Sequence, residues 1–163
     1  VSDFLKVPEP LIQKNFSRIM SLKDGLKKMS KSEISDLSRI NLTDEKSEMV
    51  NKIKKAKTDP LPMPSDLNEL EKRPEAKNLL GIYASLTNSN LENLIKEFSG
   101  KNFSEFKDSL SQVLVDKISP ISHEIKKLLN DKKYLDGILL DGYEKANKIA
   151  SKKIANIREI VGF

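Results

Sequence analysis

The 163-residue sequence has no cysteine, a single histidine and few arginines, and each scarcity closes off a class of function. Without cysteine there are no disulfides and no thiolate metal sites, which argues strongly against a zinc centre and fits a reducing compartment. His123 falls in helical phase beside Ile125, where a surface or groove role is expected rather than catalysis. Arginine occurs only at Arg18, Arg39, Arg73 and Arg158, so the net charge of +5 is carried mainly by lysine. Such a surface attracts polyanions without being a dedicated arginine-rich nucleic-acid segment. No apolar run approaches the ~18 to 20 residues that span a bilayer. Val1 to Pro10 has neither the basic start nor the apolar stretch of a secretory signal. These features predict a soluble, cytosolic protein with no membrane partner.

What is present is a composition of 37% hydrophobic and 33% charged residues with six glycines and seven prolines, which belongs to a folding, globular chain. The length suits one core with an appendage. The chain begins at Val1, within what reads as an extended segment, and this predicts that further sequence precedes it. Residues 1–42 show no helical pattern. Val7, Pro8, Glu9 and Pro10 form an extended or turning stretch. Arg18 to Leu22 reads as one short strand, followed by a turn at Lys23, Asp24 and Gly25. A lone strand cannot stabilise itself, so its sheet is expected outside this chain.

A helix is predicted from Asp44 to Lys57, with Thr43 as N-cap and Met49, Ile53 and Ala56 as its buried stripe. Prolines at alternate positions from Pro60 to Pro64 then make a stiff connector, where the domain boundary is placed. Beyond it the patterns are helical. Leu79, Ile82, Tyr83 and Leu86 follow Pro74 at helical intervals. Asn90 caps a short helix that Gly100 ends. From Ser104 to Leu129 the apolar phase runs through Pro120, which predicts one long helix, or two nearly coaxial ones, kinked there. Asp131 caps a last basic segment with a break expected at Asp141 and Gly142. The fold class is therefore mainly α: a bundle of about five helices after a short extended segment.

The chemistry concentrates at Lys28-Met29-Ser30-Lys31-Ser32. A chance match to this pentapeptide has a probability on the order of one in a thousand. A loop with two lysines and two hydroxyls can close on a polyphosphate, each lysine acting as a movable point charge.

The wider pattern resembles the class I aminoacyl-tRNA synthetases of the tryptophanyl type, in which this pentapeptide is the nucleotide loop. Arg18-Ile19-Met20-Ser21-Leu22-Lys23-Asp24 is similar to the segment that precedes that loop. Further similar blocks follow in order at Ile53 to Asp59, Asn78 to Tyr83, Phe106-Lys107 with Leu110, and Glu144 to Ala150. The resemblance implies that residues 1–42 are the tail of a Rossmann-type catalytic domain, 43–64 a linking helix and connector, and 65–163 a helical anticodon-binding domain. It implies activation of L-tryptophan with ATP, accompanied by Mg2+, and its attachment to tRNA(Trp). Ile19, Lys28, Met29, Ser30, Lys31 and Ser32 would bind ATP, with Lys31 and Lys28 catalytic. Ile19 would meet the adenine through its backbone, with Met29 beside the base, and Lys31 would stand nearest the phosphates.

The family's upstream nucleotide motifs and amino-acid pocket are absent, so this chain alone is expected to be inactive. The complete enzyme is expected to be a cytoplasmic homodimer, and no protein-bound metal site is implied. Where bacterial relatives often have Asp-Pro-Thr, this sequence has Asp24-Gly25-Leu26, which predicts a more flexible start to the loop. Lysines 126, 127, 132, 133, 145, 148, 152 and 153 offer contacts to tRNA phosphates. Tyr134 and Tyr143 could stack on an anticodon base, but both lie near apolar stripes, where core packing is the expectation. Two other readings remain open: a stand-alone helical tRNA-binding module with a vestigial loop, and the tyrosyl sibling of the same class.

Overall fold

The computed structural model describes residues 6–12 and 17–162. It divides into two compact units, Val1–Pro120 and Ile121–Phe163. The first begins with an antiparallel hairpin of β1 (Met20–Ser21) and β2 (Asp24–Lys28). A 3-10 turn at Asp36–Ser38 leads to α1 (Lys46–Lys54), and after the proline connector come α2 (Leu67–Glu71), α3 (Pro74–Thr87) and α4 (Leu91–Phe98). Helix α5 (Phe103–Asn130) carries Pro120 inside it, and α6 (Lys132–Val161) completes the second unit.

The core of the first unit gathers the apolar faces of α1, α3, α4 and α5. Met49, Ile53 and Ala56 are all but inaccessible, as are Leu79, Leu80, Phe98, Phe106 and Leu110. Two buried aromatic rings, Phe98 and Phe106, lie within it, and the half-buried Tyr83 packs against them. Phe98 meets Phe106 edge-on at 4.9 Å between centroids, and Tyr83 meets Phe98 at 5.4 Å. Each such buried side chain contributes roughly 1.5–3 kcal/mol from the area it removes from water. Capping follows the local chemistry: the Asn90 and Asp131 side chains accept from the Glu92 and Tyr134 amides, and Gly100 adopts φ 72° just past α4.

Several sequence expectations need correction. The strand through Met20 pairs within this chain, because Asp24 and Gly25, read with Lys23 as a turn, already belong to β2. Nor is Gly25 a point of looseness. It is buried, and a Cβ there would lie 2.7 Å from the Glu75 nitrogen and the Pro74 carbonyl carbon, so glycine provides room for the hairpin to touch α3.

Helix α1 starts later than predicted because Asp44 is occupied elsewhere. Its carboxylate accepts from the Asn41 backbone at 2.9 Å and from Lys52 at 2.7 Å. The Glu45 amide instead donates to Glu48, forming the first turn. In the second unit α6 runs unbroken through Asp141 and Gly142; one glycine costs a helix only about 1 kcal/mol. None of its residues is buried, and Tyr134 and Tyr143, expected on packed stripes, are 54% and 63% exposed.

The proline connector is fastened by Arg73. Its guanidinium donates to both Asp59 oxygens at 2.7 and 2.9 Å, to Glu69 at 2.7 Å and to the Leu61 carbonyl at 3.3 Å. It also lies 5.6 Å from the Phe103 ring centroid. Burial alone would raise the Asp59 carboxyl, but the guanidinium beside it reverses this and holds it below the usual range. Glu69 is lowered by the Ser65 amide and then by Arg73.

Both carboxyls thus have folded values below their unfolded ones. Their contribution is present above the usual carboxylate range and is lost as pH falls through the folded values. Arg73→Met is expected to cost about 1–3 kcal/mol in urea unfolding at neutral pH, because it removes the charge-assisted hydrogen bonds to the partly buried Asp59. That difference should shrink as pH drops below about 4.

Candidate functional site: a cationic loop over a cleft

The loop grows directly out of the hairpin. Met20 pairs with Lys28, and one residue further the Met29 amide donates to the Ile19 carbonyl at 3.0 Å. The chain then leaves the ladder. Ser30 Oγ lies 2.9 Å from Ser32 Oγ and accepts from the Ser32 amide at 3.3 Å, a hydroxyl-stabilised turn. Lys31 at its tip is exposed, as is Lys28, while Met29 and Ser30 are half-buried.

The far end of the loop is tied down by Arg39. Its Nη1 donates to the Glu33 carbonyl at 2.8 Å, its Nη2 lies 2.9 Å from Asp36, and its Nε donates to Asn41 at 3.2 Å. Behind this strap Lys52, almost fully buried, bridges Asp36 at 2.5 Å and Asp44 at 2.7 Å. Burial pulls the Lys52 ammonium down, but the two carboxylates more than reverse it, so it stays charged. Lys52 in turn holds the Asp36 carboxyl below its usual range. The Leu22 amide donates to the Ser38 carbonyl at 2.9 Å, joining strap and hairpin.

Five of the six residues singled out from sequence, Ile19, Lys28, Met29, Ser30 and Lys31, line one cleft of about 670 Å³. Ser32 does not line it and acts through its bond to Ser30. Ile19 and Met29 also pack on the hydrophobic core, giving the cleft a fixed apolar floor. Arg18, Lys28, Lys31 and Arg39 bring four cations to its walls. Among the described residues, neither Lys28 nor Lys31 meets a carboxylate. An apolar floor with uncommitted cations beside it suits a ligand that is flat and apolar at one end and polyanionic at the other.

Arg39 was not singled out from sequence as a site residue. Its nearest signal was the rarity of arginine in a lysine-rich chain, and its partners are visible only once the loop is folded.

Among the described residues no group of three or more His, Asp or Glu side chains is placed to hold a metal ion. No described helix is long and apolar enough to cross a membrane. In the second unit Lys132, Lys133, Lys145, Lys148 and Lys152 stand exposed along α6, and Lys145 pairs with Asp141 at 2.6 Å.

Arg39→Ala should release the Glu33 end of the loop. Charge-assisted hydrogen bonds contribute about 1.5–3 kcal/mol each, so backbone amides from Ser30 to Ser35 should exchange with deuterium at least tenfold faster by mass spectrometry. Unchanged exchange would show that the loop is held otherwise.

Comparison with known proteins gives a consistent picture. The family of tRNA synthetases class I (W and Y) matches residues 2–119. A protein of Brucella melitensis described as tryptophan–tRNA ligase is 49% identical over 163 residues, covering 100% of this chain and 46% of that protein. One from Rickettsia felis with the same description is 48% identical over 161 residues, covering 99% of this chain and 48% of its own length. The chain thus spans about half the length of the curated relatives it matches.

Among solved structures, the tryptophanyl-tRNA synthetase of Mycoplasma pneumoniae superposes with a TM-score of 0.83 at 25% identity, over 99% of this chain and 49% of that one. The Campylobacter jejuni enzyme, complexed with ADP and tryptophan, shares the fold at a TM-score of 0.68 and 23% identity, over 99% of this chain and 48% of that one. With the family match spanning most of its length, this chain belongs to the class I tRNA synthetases of the tryptophan and tyrosine group.

Proposed function

We propose that this chain supplies the phosphate-facing half of the nucleotide site of a tryptophan–tRNA ligase, acting together with a first half such as its relatives carry. The observation that supports this most directly is the pair of lysines, free of carboxylate partners among the described residues, on a hydroxyl-bearing loop beside an apolar-floored cleft. In the proposed reaction a tryptophan carboxylate oxygen bonds to the α-phosphorus of ATP. The bond from that phosphorus to the bridging oxygen breaks, and pyrophosphate leaves with the electron pair. Lys31, and Lys28 beside it, offset charge that develops on the departing oxygens, where positioned cations act most strongly. Ile19 and Met29 serve the adenine, and Ser30 and Ser32 shape the turn that presents Lys31.

ATP enters with Mg2+ as part of the substrate. The activated amino acid then passes to tRNA(Trp), whose phosphates the exposed lysines of α6 are suited to meet. In this proposal residues 1–42 belong to the catalytic domain, 43–64 link, and 65–163 form the anticodon-binding domain of a cytoplasmic homodimer. The tryptophan identity is favoured by the Brucella and Rickettsia relatives, both described as tryptophan–tRNA ligases.

Pyrophosphate exchange provides the test. The chain joined to such a first half should exchange pyrophosphate into ATP when tryptophan is added, and Lys31→Ala should lower kcat about 100- to 1000-fold. Exchange that depends on tyrosine instead would transfer the proposal to the sibling enzyme. The 163-residue chain by itself should give no exchange, and measurable turnover by it would overturn the two-half arrangement.

A further inference from the structure

Strand β1 contains only Met20 and Ser21 and has β2 on one edge. A two-stranded hairpin is marginal in water, so the free edge of β1 needs a partner. That partner is one side chain. Asn78, on α3 and 8% exposed, accepts from the Met20 amide at 2.9 Å and donates to the Met20 carbonyl at 2.8 Å. A carboxamide carries a donor and an acceptor on one planar end, so it pairs with both backbone groups of a single residue as a neighbouring strand would. Aspartate lacks the donor and an aliphatic residue lacks both.

The contact lies next to the cleft without entering it. Met20 follows Ile19, whose carbonyl holds the Met29 amide, and Ile19 and Met29 form the apolar floor. Asn78 itself lines an adjoining hollow of about 600 Å³ with Met20, Gly25 and Pro74, which shares Arg18 and Ile19 with the cleft. Gly25 touches Pro74 and Glu75, about one helical turn before Asn78 on α3. The hairpin is therefore docked on α3 at two points, one shaped by the absence of a side chain and the other made by a specific amide.

We propose that Asn78 is a positioning residue for nucleotide binding: by completing the open edge of β1 it holds the Ile19–Met29 floor in register beneath the base. This rests on the cleft being the ATP site. The consequence falls first on the floor, because the hydrogen bonds of Asn78 go to the Met20 backbone, next to Ile19, and not to Lys28 or Lys31. Its loss should weaken recognition of the base more than it disturbs Lys31, which lies beyond Met29 on the loop.

The test uses Asn78→Asp, which keeps the size and the acceptor, and Asn78→Ala, with Leu79→Ala as a control that damages the core from the same helix. In the two-half protein, both Asn78 variants should raise KM for ATP about tenfold, the effect of losing one or two backbone-directed hydrogen bonds. KM for tryptophan should stay within about twofold, and the preference for ATP over GTP should narrow by about the same tenfold factor. Leu79→Ala should lower the melting temperature without altering that preference.

In the 163-residue chain itself, deuterium exchange at the Met20 and Met29 amides should rise about tenfold in the Asn78 variants relative to Leu79→Ala. An unchanged purine preference in an active parent overturns the positioning role, as does equal loss of tryptophan and ATP affinity. A parent inactive with ATP would overturn the functional reading instead. In that case unchanged amide exchange at Met20 and Met29 would independently remove the anchoring claim.

Discussion

The approach of the hairpin to the first turn of α3 is the contact on which the site depends. A methyl group at residue 25 would meet the backbone of Pro74 and Glu75 at 2.7 Å, closer than non-bonded atoms tolerate. Only a residue without a side chain lets the strand settle there. Once it does, Asn78 reaches Met20, Lys57 pairs with Glu75 at 2.9 Å, and the Lys57 amide donates to the Leu22 carbonyl at 2.7 Å. The cationic loop hangs from this joint, and its cleft takes its floor from the same strand.

Polar side chains do much of the fastening in the first unit, each tying one segment of the chain to another. Arg73 gathers the connector. Lys52 ties the segment after the loop to α1. Lys107, on α5, donates to the carbonyls of Lys54 and Ala56 at 3.2 and 2.7 Å, closing the C-terminal end of α1, where free carbonyls and the helix dipole favour a cation. Burial lowers the Lys107 ammonium, with no carboxylate among the described residues to offset it. Such residues add little net stability compared with the apolar core, but removing one leaves buried partners unsatisfied, which is costly.

Much of this was legible in the sequence where the signal is periodic. The stripe Met49, Ile53, Ala56 and the run Leu79, Ile82, Tyr83 emerged on buried faces, because apolar spacing near 3.6 residues has one economical solution. The pentapeptide was legible because it is rare, and five of the six residues chosen around it meet at one cleft. Strand β2 escaped notice because Asp24-Gly25 has the chemistry of a turn, and only the distant α3 makes it a strand. The same holds for Arg39 and Asn78. Asn78 acts on Met20, 58 positions away in the chain, and no local pattern records that distance. The start of α1 was misjudged for a related reason: Asp44 has the chemistry of a first-turn acid until Asn41 and Lys52 claim it.

The double tether of the loop sets a limit on its mechanics. Met29 is fixed to Ile19 and the Glu33 carbonyl to Arg39, which leaves Ser30, Lys31 and Ser32 as the span between moorings. Chain so short, at about 3.5 Å per residue at full extension, cannot swing like a long lid. Its main chain can shift only a little, and the reach toward an anion must come from the lysine stems, whose rotamers reorganise far faster than a backbone segment refolds. The loop is better pictured as a fixed mount carrying two flexible arms than as a door on a hinge. A ligand too far for those arms could be met only by moving the mount, and with it the strand and helix to which it is fastened.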